Sequence, residues 1–241
     1  SLAPDMVVCT GDLTSLGAPG EFAEALKILE PLLNNKDLDV VYVPGNHDAY
    51  VPRKASRESL RHSFYELNNH RWQLDELPGY VSKNNLEVYV VNQAQPTNIF
   101  SSAGVTSEQE LRQLEGLLNE PRKEGGKRLM VTHYPIVNEK GKRIRWPRRH
   151  RKDYYFKNLL DEGWVDVMLS GHVHVPFQQV RPNSAIQISA GALTVHGTLN
   201  VLDYSPQSGT FRQSWKNIKD PQTPNPDVAH TDQVLEAGAS D

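Results

Sequence analysis

One cysteine, Cys9, stands among 241 residues, so the chain can form neither an internal disulfide nor a zinc site built from several thiolates. That scarcity leads us to expect a reducing compartment, the cytoplasm. No stretch approaches the roughly 18 uninterrupted apolar residues that a membrane span needs, which excludes a transmembrane helix on sequence grounds. The Gly-x-Ser-x-Gly turn of serine hydrolases and the Gly-x-x-x-x-Gly-Lys-Ser/Thr phosphate loop are also lacking, so neither chemistry has support. An initiator methionine is missing too. The chain opens on Ser1-Leu2-Ala3-Pro4 directly before an apolar run, and the lack of a leader therefore says nothing about secretion.

What is present suits a globular protein: 38% hydrophobic residues, 23% charged and 16 prolines. We expect one large domain over residues 1–216, then a flexible extension over 217–241 that is rich in proline and poor in apolar residues. The net charge of −3 conceals an asymmetry. Residues 140–152 (KGKRIRWPRRHRK) hold eight of the 26 Lys and Arg and no acid, leaving 18 basic against 29 acidic residues elsewhere. Such a run is commonly a solvated loop, yet its charge also suits an anionic substrate or surface.

Short β-rich apolar runs recur at residues 6–10, 40–44, 88–92, 129–132, 165–170, 185–189, 199–204 and 210–215. Several are continuous rather than alternating, as in strands buried on both faces of a sheet covered by helices. Between them, residues 20–33 place Phe22, Ala25, Leu26, Leu29 and Leu33 on one helical face. Residues 107–118 do the same with Leu111, Leu114, Leu117 and Leu118, after a Ser107/Glu110 capping box, and residues 54–68 form a weaker third helix. The expectation is an α/β layered fold, with mixed β-sheets sandwiched by helices and a more antiparallel portion among the last strands.

Four of the strand runs end alike: in Gly11-Asp12, in Gly45-Asn46-His47-Asp48, in His133, and in Gly171-His172-Val173-His174. Ligands of open α/β sheets bind at the carboxyl ends of strands, so these residues converge on one rim. An oxygen-and-imidazole set of this kind suits Mn²⁺, Fe²⁺ or Zn²⁺ and is too rich in nitrogen for Mg²⁺ or Ca²⁺. Each piece alone has a plainer reading, Gly-Asp as an ordinary turn and Gly-Asn-His-Asp as a turn with a helix cap. Their order and shared position argue otherwise.

The ordered set resembles the calcineurin-like metallophosphoesterases, whose signature is Asp-x-His, Gly-Asp, Gly-Asn-His-Asp, a lone His and Gly-His-x-His. The resemblance implies a phosphoester hydrolase with two divalent ions (Mn, Fe or Zn) and a hydroxide bridging them as nucleophile. It assigns Asp12 as the bridging carboxylate; Asn46, His133 and His172 complete one metal site and His174 belongs to the other. His47 matches the catalytic histidine that stabilises or protonates the leaving oxygen, and Asp48 is expected to orient its imidazole. VCTGDLT, VYVPGNHD, LMVTHYP and LSGHVHVPF look most like bacterial class III cyclic-nucleotide phosphodiesterases. That likeness implies a small phosphodiester substrate of the cyclic-nucleotide type. Ser15 and Asp48 depart from the purple acid phosphatase and protein phosphatase patterns, respectively.

The Asp-x-His block is absent upstream of Gly11-Asp12. We therefore expect a βα element of about 25 to 30 residues to be missing, a sheet without one central strand, and a single well-held metal in this chain. His62 and His70 read as surface residues, His230 lies in the tail and His150 in the basic run, none of them expected to be functional, while His196 is a candidate for a supporting role near the rim. Two rival readings stand beside a phosphodiesterase: a lipid-linked or nucleotide diphosphate hydrolase in which Trp146 and the arginines engage a surface, and a catalytically silent binding module.

Overall fold

The computed structural model describes residues 2–97 and 101–218, with the backbone of 233–235. The chain opens with strand β1 (Met6–Cys9), helix α1 (Pro19–Leu33), strand β2 (Asp39–Tyr42), the one-turn helix α2 (Asn46–Ala49) and helix α3 (Lys54–Leu67). β1 and β2 pair in parallel, Met6 opposite Asp39 through Cys9 opposite Tyr42, as a two-stranded sheet. Pro19 sits in the first turn of α1, where its missing N–H is no loss.

A six-stranded sheet follows. Its strands are β3 (Gly79–Lys83), β4 (Leu86–Val90), β5 (Lys127–Val131), β6 (Val167–Ser170), β7 (Pro176–Val180) and β8 (Ile186–Ala190), in the order β3-β4-β5-β6-β8-β7. The middle four are parallel and the two edges antiparallel. Helices α4 (Glu108–Asn119) and α5 (Asp153–Asp161) lie between the parallel strands in sequence. The expected capping box opens α4: Glu110 N–H donates to Ser107 Oγ at 3.2 Å, and Ser107 N–H to the Glu110 carboxylate at 2.7 Å. After the short helix α6 (Leu193–His196), β9 (Thr198–Ser205) and β10 (Thr210–Asn217) form an antiparallel hairpin, the late antiparallel portion that the sequence suggests. The backbone of β11 (Gln233–Leu235) pairs antiparallel with β10, within the stretch expected to be a flexible extension; the rest of that stretch lies outside the described residues.

Two cores cover the two faces of the large sheet. Successive strand residues point to opposite faces, so Val88, Val90, Leu129, Val131 and Val167 pack with Phe22, Val41, Phe64 and Phe211. Their neighbours Tyr89, Met130 and Met168 pack with Leu111, Leu114, Phe156 and Leu160 of α4 and α5. The continuous apolar runs are thereby explained: both faces are dry, and the fold is the layered α/β arrangement expected.

Three elements escape a reading by apolar pattern. β3 is an edge strand with mostly half-exposed residues, joined to β4 by Asn84 and Asn85, both at positive φ (51° and 63°) as a two-residue hairpin turn requires. β7 is the other edge. α5 begins directly after the basic run, which hides its start, although Phe156, Leu159 and Leu160 carry a three- and four-residue spacing.

Candidate metal centre

The carboxyl ends of β1, β2, β5 and β6 deliver the four pieces. Gly11, at φ 98°, brings the first turn so close to the second that a Cβ on it would lie 2.5 Å from Gly45 N and 2.6 Å from His133 Nδ1. A Cβ on Gly45 would in turn collide with the Asp12 carboxylate. Three of the residues delivered, Asp12, His172 and His174, hold left-handed backbone at φ 59°, 65° and 63°. L-residues adopt this region at a cost of order 1–3 kcal/mol, a strain that clusters at functional sites.

Asp48 locks the two turns together. Its carboxylate accepts from the N–H groups of Asp12 and Thr14 at 2.9 Å, from Gly45 N–H at 2.9 Å, from the Thr14 hydroxyl at 2.9 Å and from the Tyr42 hydroxyl at 2.8 Å. Burial pushes this carboxyl up from its ordinary range and Asp12 adds repulsion, while the Gly45 and Thr14 N–H groups oppose both. The expectation that Asp48 orients His47 needs correcting. The His47 ring is held instead by the Ser15 carbonyl, 2.8 Å from Nδ1, and packs against Tyr50 with centroids 4.5 Å apart. Asp48 shapes the backbone under Asp12; the Ser15 carbonyl sets the ring.

Asp12, His133 and His172 form a group able to hold a metal ion, with one donor atom from each inside a span of 4.8 Å. The hydrogen-bond partners say which atoms those are. His133 Nδ1 is 2.6 Å from the Thr10 carbonyl, which can only accept, so in the neutral ring the proton belongs there and Nε2 is bare. His172 Nε2 is 2.6 Å from the Arg148 carbonyl, which leaves Nδ1 bare. Both bare nitrogens face Asn46 Oδ1, at 3.1 and 2.8 Å, and the Asn46 amide is turned that way because its Nδ2 donates to the Tyr50 hydroxyl at 2.8 Å. His133 Nε2 is also 3.5 Å from Asp12 Oδ2, a buried oxygen with no hydrogen-bond partner. With both rings neutral, four lone pairs converge, an arrangement that repels unless a cation sits among them. Burial, and next the adjacent His133, push His172 down to about 2, so a proton does not serve as that cation there. The donor set fits a divalent transition metal.

His174 lies beside this group: Nε2 is 3.9 Å from Asp12 Oδ2, and the side chain is 54% exposed. Its backbone carbonyl accepts from Ala192 N–H at 3.1 Å, which seats α6, and with it His196, next to the rim. His62 and His70 are surface residues beside Glu66, as expected, and His230 lies outside the described residues.

His150 is not a surface residue. It is 1% exposed, with Nε2 3.1 Å from the Thr106 hydroxyl, Nδ1 accepting from Lys152 N–H at 3.1 Å, and Phe156 edge-on at 5.0 Å. Burial pushes it down to about 4. His150 is one of several anchors of the basic segment: Ile144 is buried, Arg143 binds the Asp153 carboxylate through two nitrogens at 2.6 and 2.7 Å, and the Arg148 carbonyl holds His172. The run is thus a fixed part of the rim rather than a loose loop.

The sequence reading missed Tyr134. Its ring packs against His172 with centroids 4.4 Å apart and planes tilted by 44°, and meets His133 edge-on at 5.0 Å, walling the imidazoles from behind. Gln93 accepts from Tyr134 N–H at 2.9 Å, and Gln187 accepts from Ile136 N–H at 2.8 Å and donates to the Val137 carbonyl at 2.9 Å, fixing the segment after His133. The aromatic residue directly following the lone histidine was the available signal.

Among solved structures, the fold is similar to that of TT1561 of Thermus thermophilus, with a TM-score of 0.57 at 14% identity over 89% of this chain and 86% of that one. It is also similar to a dimetal phosphatase from Danio rerio, with a TM-score of 0.58 at 16% identity over 88% and 77%. A probable cyclic nucleotide phosphodiesterase of Rhodococcus erythropolis is 44% identical over 45 residues, 19% of this chain and only 15% of that relative's length. The sequence pattern described as calcineurin-like phosphoesterase matches residues 1–176, most of the chain, and that match together with the four converging strand ends places this protein in the calcineurin-like phosphoesterase family.

Proposed function

We propose that the chain hydrolyses phosphodiesters of the cyclic-nucleotide type with the help of divalent metal, held by Asp12, Asn46, His133 and His172. The observation that carries this reading is the convergence of unprotonated nitrogens on Asn46 Oδ1 beside the unpartnered Asp12 Oδ2. Bound divalent ions supply Lewis-acid polarisation of the phosphoryl oxygens and a more acidic water. Asp12 and His174 are the residues that would share a second ion. His47 is placed to protonate the leaving oxygen: with Nδ1–H donating to the Ser15 carbonyl, Nε2 is the nitrogen left for the transferred proton, and the ring would give it up as an imidazolium. Tyr134 shields the imidazoles from water on the far side. The short match to the Rhodococcus relative supports the cyclic-nucleotide substrate.

Metal-stripped protein reconstituted with Mn²⁺, Fe²⁺ or Zn²⁺ should turn over bis(p-nitrophenyl) phosphate and 3′,5′-cyclic AMP, and the stripped protein neither. Turnover that is unchanged by chelation would overturn the proposal.

A further inference from the structure

The basic run contributes more than charge to the rim. Arg148 bears on the metal centre twice: its carbonyl binds His172 Nε2 at 2.6 Å, and its guanidinium disfavours a charged His172. His172 turns its other nitrogen toward Asn46, so the backbone at residue 148 lies one hydrogen bond and one imidazole ring from the atoms that gather the metal. Just before it, Arg148 N–H donates to the Arg145 carbonyl at 3.0 Å, closing a turn that contains Trp146. Trp146 is 70% exposed.

The charges in this turn are not spoken for. Arg143 is taken by Asp153, and Lys152 by Glu108. Arg145 and Arg148 are exposed, and no carboxylate among the described residues pairs with either. Among the described residues the turn therefore presents two guanidinium groups without a carboxylate partner and a bare indole face, anchored beside the site by the buried His150 and Ile144. Arginine forks match phosphate oxygens. An exposed aromatic face between them takes a nucleobase by stacking. The scissile phosphate belongs at Asp12, His133 and His172, so the anion taken by this turn is a different one.

We propose that the 145–148 turn is a subsite for a second nucleotide unit of the substrate, with Arg145 and Arg148 on its phosphate and Trp146 on its base. A dinucleotide, cyclic or linear, is then preferred over a mononucleotide such as 3′,5′-cyclic AMP, which fills the metal centre alone. This rests on the phosphodiesterase reading for its place in catalysis, but the subsite binds without it.

Titration calorimetry separates the two. With protein free of added metal, the linear dinucleotide pApA should bind about tenfold more tightly than AMP, since two exposed charge pairs contribute up to roughly that factor. The double variant R145Q/R148Q should lose the preference, and W146A should lose the part due to the second base. Equal affinity for pApA and AMP in the wild type, or a preference that survives R145Q/R148Q, would sink the proposal. So would sedimentation of the wild type, but not the double variant, with phosphatidylglycerol vesicles in the absence of any pApA preference, because the turn would then serve a lipid surface. Turnover of bis(p-nitrophenyl) phosphate by the metal-loaded wild type reports on the phosphodiesterase reading alone. A pApA preference without turnover keeps the subsite and removes that reading.

Discussion

The carbonyl oxygen of Arg148 lies 2.6 Å from Nε2 of His172, and this one hydrogen bond decides which imidazole nitrogen faces Asn46. A loop carbonyl cannot be mutated away, but the imidazole it orients can. Asp12→Asn and His172→Ala should each lower metal retention by more than the roughly 10- to 100-fold that loss of a merely orienting partner costs. Metal content after dialysis checks this, and full retention in both variants would remove the assignment.

His47→Ala should keep its metal and lose rate. A positioned acid contributes about 10²- to 10⁴-fold, and the loss should fall on kcat because charge on the leaving oxygen develops in the transition state. Nitrophenolate leaves without a proton, so the loss should shrink with that leaving group. Equal losses for good and poor leaving groups would argue against the acid role.

Asp48→Ala should lower metal affinity and stability together. It removes a buried carboxylate that holds the Asp12, Thr14 and Gly45 amides, and leaves these donors unpaired at a cost above about 3 kcal/mol. Urea unfolding and metal titration measure the two effects. A variant that folds and binds metal normally but is slow would restore a direct partnership with His47.

Glu87 and Arg128 form an ion pair with side chains 5% and 3% exposed, and Arg128 also binds the Leu118 and Glu120 carbonyls at the end of α4 at 2.7 and 2.6 Å. Glu87→Gln would leave the guanidinium charge buried without its counter-ion, costing about 3–5 kcal/mol. Denaturant unfolding should show a lower midpoint with an unchanged slope.

Acid should weaken the fold through His150. Its folded ring protonates near pH 4, whereas an unfolded histidine takes a proton near 6.5. The stabilisation is therefore complete above pH 6.5 and is lost as pH falls towards 4, by about 3 kcal/mol in all. Stability measured across that window should fall less steeply in His150→Gln than in the wild type, and parallel profiles would show that another group carries the effect.

The four candidate pieces were legible because each follows a short apolar run packed in the core, from both sides at Met130-Val131 before His133, so strand and rim announce each other. Roles within a piece were harder to read. Asp48 follows His47 in sequence, but on the single turn of α2 consecutive side chains point about 100° apart, which sends one to the rim and the other under it. His150 stands between Arg148-Arg149 and Arg151-Lys152, and composition alone cannot show that a tightly anchored chain turns one imidazole inward. Tyr134 lies beyond the end of β5, where strand periodicity no longer assigns a face, and the edge strand β3 has too few apolar residues to form a pattern; what marks β3 is Asn84-Asn85, a turn signal rather than a strand signal.

The left-handed backbone at Asp12, His172 and His174 bears on how this protein could change. Glycine would sit at any of the three without steric penalty, so sequence drift toward folding alone leads there, one substitution at a time. His174 is the telling position, since more than half of its side chain is exposed and little packing would be lost with it. The imidazole it carries works against the comfort of its own main chain. A descendant that abandoned hydrolysis and kept only the scaffold would be expected to replace this residue first, becoming sturdier as it fell silent.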